Sequence, residues 1–192
     1  MAAGLSTRMR ENKLLKTWKS GTIFQTTLES LLTTRAGEII VVTGNEGEAI
    51  SSIIQDNQYP VTTIANTRYR EGMTSSIQAG VGAASEDSNG YMVCLSDMPL
   101  LRSEEYTALL THFKGCYRPG EKCIVVPVVG GGRKNPVIFS KEFRHDILVH
   151  EEMEGCRRIV EENKSFLRPL TFTDPGPFSD IDTPEDFGKF GQ

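Results

Sequence analysis

Residues 38–65 read EIIVVTGNEGEAISSIIQDNQYPVTTIA, and this stretch decides the fold class. It opens with apolar and β-branched residues at 38–43, a composition typical of a buried strand. Residues 47–55 then carry apolar side chains at helical spacing, and residues 61–65 are β-branched again. A strand, a helix and a second strand in this order predict a β-α-β unit, whose two strands run parallel.

The alternation of strands and helices continues along the chain. Further strands are predicted at residues 91–95, 122–127 and 166–172, and a glycine turn at 130–132 precedes residues 135–139. Helices are predicted at residues 22–34, 73–84, 103–113, 141–150 and 154–162, with a short one opening at Thr183. This order predicts a single α/β domain over residues 1–192 with a mostly parallel sheet. Ligands of such sheets bind beyond the carboxyl ends of the strands.

The composition excludes several classes of partner. The 192 residues carry a net charge of −4, so no basic excess indicates nucleic-acid binding. Four cysteines without a C-x-x-C pair favour reduced thiols over a disulfide framework or a zinc site. No apolar run reaches the roughly 18 residues of a membrane span, and no signal peptide is visible. We therefore expect a cytoplasmic protein without nucleic-acid or membrane partners.

Residues 2–15, AAGLSTRMRENKLL, combine small residues with positive charge. Small residues let backbone N–H groups approach phosphate oxygens closely. Ser6 adds a hydroxyl, Arg8 a planar fork suited to phosphate, and Lys13 a compact positive charge. The pattern predicts a phosphate-binding loop. The alternative interpretation is a solvated loop, because the stretch matches neither the dinucleotide fingerprint nor a Walker A loop.

Three aspartates are candidate metal ligands. Asp97 directly follows the predicted strand at 91–95, at the edge of the sheet where ligands bind. Asp180 and Asp182 face the same side if their segment is extended. Magnesium usually takes one or two carboxylates together with substrate phosphates, so these residues predict a magnesium site. The alternative is helix capping, a frequent role of aspartate.

Polar residues also surround the start of the predicted helix at 73–84. They are Asn66, Gly72, Met73, Ser75 and Ser76. Amide and hydroxyl groups can recognise the edge of a base, and glycine permits a close approach. The alternatives are helix capping by the serines and core packing by the methionine.

The loop at 2–15 resembles A-A-G-x-S-x-R-M-G-x-x-K-L-L, the signature of the MobA-like NTP transferases, in particular their molybdenum cofactor cytidylyltransferase (MocA-like) branch. The resemblance covers nearly the whole chain. The other matching stretches are Asn66 with EGMTSSI at 71–77, LSDMP at 95–99, NPV at 135–137 and DIDTPED at 180–186.

This resemblance implies a Rossmann-like three-layer sandwich, the nucleotidyltransferase fold, and transfer of a nucleoside monophosphate from an NTP with release of pyrophosphate. The residues it places at the nucleotide are Ala2, Ala3, Gly4, Ser6, Arg8, Lys13, Asn66, Gly72, Met73, Ser75 and Ser76. Lys13, Arg8 and Asp97 are the implied catalytic residues, and the implied ligands of Mg²⁺ are Asp97, Asp182 and Asp180. Ala3 favours CTP over GTP.

The implied acceptor carries a phosphate, molybdopterin in this branch, and a molybdoenzyme is the implied recipient of the product. Arg133, Lys134 and Asn135 follow the glycine turn and are the candidate acceptor-binding residues. The alternative is an exposed hairpin tip. A sugar or polyol phosphate is an alternative acceptor, and an accessory protein that binds molybdenum cofactor without catalysis is an alternative of another class.

The chain departs from the family pattern at three points. Arg10 and Lys134 stand where the family usually has glycine, either as anion contacts or as solvated basic side chains. The family also has an apolar strand before A-A-G, so we expect residues upstream of Met1 or an alternative start codon. N-terminal sequencing of the native protein tests that expectation.

Overall fold

The computed structural model describes residues 1–2, 12–179 and 181. The strands within these ranges are β1 (Thr17–Trp18), β2 (Gly21–Thr22), β3 (Ile40–Thr43), β4 (Thr62–Ala65), β5 (Gly90–Val93), β6 (Ile124–Val129), β7 (Gly132–Arg133), β8 (Val137–Ser140) and β9 (Leu167–Phe172). The α-helices are α1 (Ile23–Leu32), α2 (Gly47–Asp56), α3 (Met73–Ala83), α4 (Ser103–Cys116), α5 (Arg144–Val149) and α6 (Arg157–Glu162). None of these helices is long and apolar enough to cross a membrane.

The predicted β-α-β unit is confirmed. β3 and β4 pair in parallel, from Ile40 opposite Thr62 to Thr43 opposite Ala65, and α2 makes the crossover between them. Ala2 lies on the other edge of β3, where its backbone nitrogen donates to Val42 O at 2.8 Å. Ala2 therefore lies beside the end of β3.

The second sheet is mixed, so the prediction of a mostly parallel sheet is wrong. Its strands lie in the order β5-β8-β6-β7, with β9 also paired to β6. β8 is antiparallel to both β5 and β6, whereas β9 is parallel to β6. Residues 130–136, between β6 and β8, are too few for a helical crossover, which needs about a dozen residues. The chain therefore turns back and β8 returns in the opposite direction.

The two regions predicted as helices after β8 contain shorter α-helices than the sequence predicted. Residues 141–150 form a short 3-10 helix, Lys141–Phe143, followed by α5. α6 begins at Arg157, not at residue 154, because Gly155 has a φ of 76°. A residue in the left-handed region does not continue a right-handed helix.

The core lies on both sides of β3 and β6. Trp18, Ile23 and Phe24 are buried beside β3, and five of the six residues of β6 are buried. Strands buried on both faces consist of continuous apolar residues, which explains why the sequence predicted a strand at the position of β6. Met1 and Ala2 connect the end of β3 to the segment after β5, since Ala2 N donates to Val42 O and Ser96 N donates to Met1 O.

Candidate active site

A lysine–aspartate ion pair joins the N-terminal part of the chain to the turn after β5. Lys13 Nζ lies 2.6 Å from Asp97 Oδ2, and the side chains are 16% and 22% exposed. Charges at this depth are screened less by salt than charges on the surface. The structure thus brings together the predicted phosphate-binding lysine and the predicted metal ligand.

Local structure directs Lys13 towards this pair. Lys13 begins a 3-10 helix, Lys13–Leu15, which is capped by Asn12 because its Oδ1 accepts from Leu14 N at 3.1 Å. Leu14 is buried against the same core as α1. Lys13 Nζ also donates to Ile181 O at 3.3 Å. The ammonium group is therefore held between the β5 turn and the C-terminal segment.

Hydrogen bonds to Met1 hold the turn that carries Asp97. Ser96 donates to Met1 O from both its backbone nitrogen, at 3.3 Å, and its Oγ, at 2.7 Å. Asp97 Oδ1 is buried and accepts no hydrogen bond from any residue that the structure describes. A buried carboxylate oxygen normally has a partner, so this atom fits a cation or a donor supplied by a ligand.

Several predicted residues lie outside the described ranges, and their roles stay predictions. They are Ala3, Gly4, Ser6, Arg8, Arg10, Asp180 and Asp182. Among the described residues next to them, Ala2 is buried beside β3, and Ile181 is buried with its carbonyl oxygen 3.3 Å from Lys13 Nζ.

The side chains of Asn66, Ser75 and Ser76 form a buried hydrogen-bond network. Asn66 Nδ2 donates to Ser75 Oγ at 2.9 Å and to Ser76 Oγ at 3.0 Å, while its Oδ1 accepts from Arg68 N at 2.9 Å. The helix N-cap is Gly72, so the alternative of capping by the serines is wrong. All polar atoms of the Asn66 amide have protein partners, which gives it a structural role in holding the loop at 66–72. Contact with a nucleoside stays a prediction for these three residues.

Gly72 and Met73 lie against a loop at residues 150–156. Met73 N donates to Met153 O at 3.0 Å, and Gly155 N donates to Thr74 Oγ1 at 3.0 Å. A Cβ added to Gly72 would lie 2.6 Å from Met153 O. The close approach that glycine permits is therefore made by this loop. The Met73 side chain is 43% exposed, so it does not pack in the core as the alternative held.

A cavity of about 560 Å³ opens beside the Asp97 turn. Its walls are mostly apolar and come from the second sheet, from α3 and α6, and from the residues that flank Asp97. Its polar lining residues are Arg133, Lys134, Asn135, Glu154 and Arg157. The volume is within the range of small-molecule sites, about 300–1,000 Å³.

The cavity contains the predicted acceptor segment and three residues that the sequence did not single out. Arg133, Lys134 and Asn135 line it, as does Met73 from the predicted nucleoside segment. Glu154 and Cys156 of the loop at 150–156 and Arg157, the first residue of α6, also line it, and no sequence motif marked them. Burial raises the pKa of the Cys156 thiol to about 12, so this thiol is uncharged near neutral pH.

Of the three predicted metal ligands, Asp97 lies within the described residues. No group of three histidine, cysteine, aspartate or glutamate side chains lies close enough to hold an ion in the part of the chain that the structure describes. Magnesium is often bound by one or two carboxylates, with water and substrate phosphates as the remaining ligands. Asp97 with its buried Oδ1 is compatible with that kind of site.

Two curated relatives are similar over most of their length. The molybdenum cofactor cytidylyltransferase of Escherichia coli (strain K12) is 26% identical over 186 residues, which cover 97% of this chain and 90% of the relative. A probable molybdenum cofactor guanylyltransferase of Bacillus thuringiensis (strain Al Hakam) is 27% identical over 172 residues, or 89% of this chain and 77% of the relative.

Solved structures support the same fold. Rv0371c from Mycobacterium tuberculosis H37Rv superposes with a TM-score of 0.83 at 18% identity, covering 99% of this chain and 93% of that one. Its complex with manganese superposes with a TM-score of 0.79 at 18% identity, covering 99% of this chain and 94% of that one. A family model, the MobA-like NTP transferase domain, matches residues 1–166. Because this family model matches most of the chain, the chain belongs to the MobA-like NTP transferase family and is a nucleotidyltransferase.

Proposed function

We propose that this nucleotidyltransferase moves CMP from CTP to the phosphate of an acceptor, molybdopterin, and releases pyrophosphate with Mg²⁺ as the metal. The observation that carries the proposal is the Lys13–Asp97 pair beside the cavity, because Asp97 Oδ1 is buried without a partner among the described residues. The relative from Escherichia coli is a molybdenum cofactor cytidylyltransferase, which supports this acceptor and this nucleotide.

The proposed reaction needs no protein nucleophile. An oxygen of the acceptor phosphate attacks the α-phosphorus of CTP, a new P–O bond forms, and the bond to the β-phosphate breaks with release of pyrophosphate. A phosphate monoester is already ionised at neutral pH, since its second pKa is about 6. No general base is therefore required. Lys13, together with the predicted Arg8, stabilises the charge that develops on the leaving pyrophosphate.

The proposed metal ligand is Asp97, with Asp182 and Asp180 as predicted further ligands. Mg²⁺ would neutralise charge on the α-phosphate and on the leaving group. The protein itself positions the Asp97 carboxylate, because two hydrogen bonds from Ser96 to Met1 O hold the turn that carries it. The manganese complex of Rv0371c supports binding of a divalent metal on this fold.

The experiment that tests the function is a pyrophosphate-release screen. CTP and GTP are each supplied with molybdopterin, with a sugar phosphate or with a polyol phosphate, in the presence of Mg²⁺. We expect release with CTP and molybdopterin. Release with GTP alone would overturn the choice of nucleotide, and release with a sugar or polyol phosphate alone would overturn the acceptor. Absence of Mg²⁺-dependent NTP binding in a calorimeter would favour the non-catalytic accessory protein.

Replacing Lys13 by alanine is expected to weaken binding of CTP. A hydrogen bond to a charged group contributes about 1.5–3 kcal/mol, so we expect the Kd to rise by roughly tenfold or more. Isothermal titration with CTP and Mg²⁺ measures this change. The matched control is Lys122→Ala, because Lys122 Nζ pairs with Asp146 Oδ2 at 2.7 Å and neither residue lines the cavity. Equal Kd values for the two variants would show that Lys13 does not contribute to CTP binding.

A further inference from the structure

The Lys13 ammonium group occupies the carboxylate that is proposed to bind the metal ion. Lys13 Nζ lies 2.6 Å from Asp97 Oδ2. Charge-assisted hydrogen bonds between a nitrogen and a carboxylate oxygen are about 2.7–2.9 Å long, so the two atoms are in direct contact and no ion fits between them. This carboxylate oxygen therefore already has a cation as its partner.

Both partners of the pair are held in place by the surrounding chain. Lys13 is followed by the buried Leu14, and its Nζ also donates to Ile181 O at 3.3 Å. The Lys13 side chain is 16% exposed and the Asp97 side chain is 22% exposed. Separating two opposite charges at this depth is costly, because water screens them poorly. A ligand that takes Asp97 must therefore also provide a partner for the ammonium group.

The second carboxylate oxygen of Asp97 does not avoid this competition. Oδ1 is buried and accepts no hydrogen bond from any of the described residues, so it is the atom that fits a metal ion. A divalent cation on Oδ1 would nevertheless share one carboxylate with the ammonium group on Oδ2, and positive charges so close to each other repel. The pairing with Lys13 is therefore expected to weaken the binding of a metal ion on its own.

A nucleoside triphosphate removes this competition because it supplies further negative charge. Its phosphate oxygens accept hydrogen bonds from an ammonium group, and they also serve as ligands of Mg²⁺. Lys13 can therefore exchange the Asp97 oxygen for a phosphate oxygen, while Asp97 and the phosphates bind the metal ion. The same lysine would then oppose the metal before the triphosphate arrives and bind the triphosphate afterwards.

We propose that Lys13 blocks Asp97 against divalent metal ions until a triphosphate binds, so that the metal ion enters the site together with the nucleotide and not before it. The ion pair is the blocking contact, and the triphosphate releases it by accepting the ammonium group. The inference rests on the proposed function for the role of Asp97 as a metal ligand. The effects of Lys13 on metal alone and on nucleotide have opposite signs, so the two proposals can be tested separately.

The test measures binding of Mn²⁺ to the protein without nucleotide, through the electron paramagnetic resonance signal of free Mn²⁺. Lys13→Met keeps an extended apolar side chain and loses the charge. We expect it to lower the Kd for Mn²⁺ about tenfold, the factor that corresponds to one charge-assisted contact. Lys13→Gln, a second neutral variant, should show the same gain, whereas Lys13→Arg keeps the charge and should stay within twofold of wild type. Circular dichroism checks that each variant is folded.

Two control variants relate the gain in affinity to this carboxylate. Lys122→Met removes a similar pair, because Lys122 Nζ lies 2.7 Å from Asp146 Oδ2 and neither residue lines the cavity. We expect Lys122→Met to bind Mn²⁺ with the affinity of wild type. The double variant Lys13→Met/Asp97→Asn lacks both partners and should bind Mn²⁺ at least tenfold more weakly than Lys13→Met.

Unchanged Mn²⁺ affinity in Lys13→Met and Lys13→Gln would overturn the inference, because the ammonium group would then not compete for the carboxylate. An equal gain in Lys122→Met, or a gain that persists in the double variant, would overturn it as well, since the ion would then bind elsewhere. The CTP titration, repeated on Lys13→Met, distinguishes the two proposals. Weaker CTP binding with unchanged Mn²⁺ binding would refute the inference alone, and tighter Mn²⁺ binding with unchanged CTP binding would refute the proposed role of Lys13 at the nucleotide alone.

Discussion

Replacing Asp97 by asparagine is expected to lower NTP-dependent pyrophosphate release by about 10²–10³-fold, the range found when one electrostatic contact to a transition state is removed. Asparagine has the same shape, so the turn after β5 keeps its hydrogen bonds from Ser96 to Met1 O. It carries no negative charge, so it neither balances Lys13 nor binds a divalent cation at the position of Oδ1. The loss is expected in turnover at saturating CTP, measured by continuous pyrophosphate detection.

The control for this substitution is Asp146→Asn. Asp146 also pairs with a lysine, Lys122, at 2.7 Å, compared with 2.6 Å for the Asp97 pair. Asp146 does not line the cavity, so its substitution removes an ion pair of the same kind without touching the site. We expect wild-type turnover in Asp146→Asn. Pyrophosphate release near the wild-type rate in Asp97→Asn would mean that the aspartate has no part in the chemistry.

Replacing Gly72 by alanine is expected to destabilise the protein by about 1–3 kcal/mol, the cost of a strained backbone position. Gly72 has a φ of 103°, and the new Cβ would lie 2.6 Å from Met153 O. That oxygen is fixed because it accepts from Met73 N at 3.0 Å. Relief of the contact therefore moves the loop at 150–156, which carries Glu154 and Cys156 into the cavity wall. Chemical denaturation gives the free energy of unfolding.

Two other glycines separate the effects of backbone conformation and contact. Gly120 has a φ of 84° with no atom within 4 Å of an added Cβ, so Gly120→Ala measures the conformational cost alone. Gly115 lies in α4 with the same open space and no positive φ, and Gly115→Ala is expected to be neutral or stabilising. The loss in Gly72→Ala should exceed that in Gly120→Ala. If the two losses match, the contact with Met153 contributes nothing to stability.

The displacement of the loop at 150–156 in Gly72→Ala should also change the shape of the cavity. Because the loop at 150–156 supplies part of the cavity wall, a displaced loop changes the position of Cys156 and of the Arg157 that follows it. We therefore expect Gly72→Ala to slow pyrophosphate release at saturating CTP under conditions where the variant is fully folded, whereas Gly120→Ala leaves it unchanged.

The sequence by itself determined individual strands and helices and the reactive side chains that follow them. β-branched runs and helical spacing located the β-α-β unit of β3, α2 and β4 because periodicity depends only on neighbouring residues. The same logic placed Asp97 after a buried strand. Lys13 was marked by its family signature, and the structure places its ammonium 2.6 Å from the Asp97 carboxylate. Arg8, Asp180 and Asp182 were marked in the same way and stay predictions.

The tertiary structure alone decided how distant segments meet. The direction of β8 depended on the short connection at residues 130–136, and it makes the second sheet mixed. The hydrogen bonds that join the Asn66 amide to Ser75, Ser76 and the backbone of residue 68 were found only in the structure, and its contact with a nucleoside stays a prediction. Arg157 had no motif and became part of the cavity through the docking of the loop at 150–156 on α3. Local patterns record which face of an element is buried, whereas pairing between segments far apart in the chain depends on shape and hydrogen bonds that form only when the whole chain has folded.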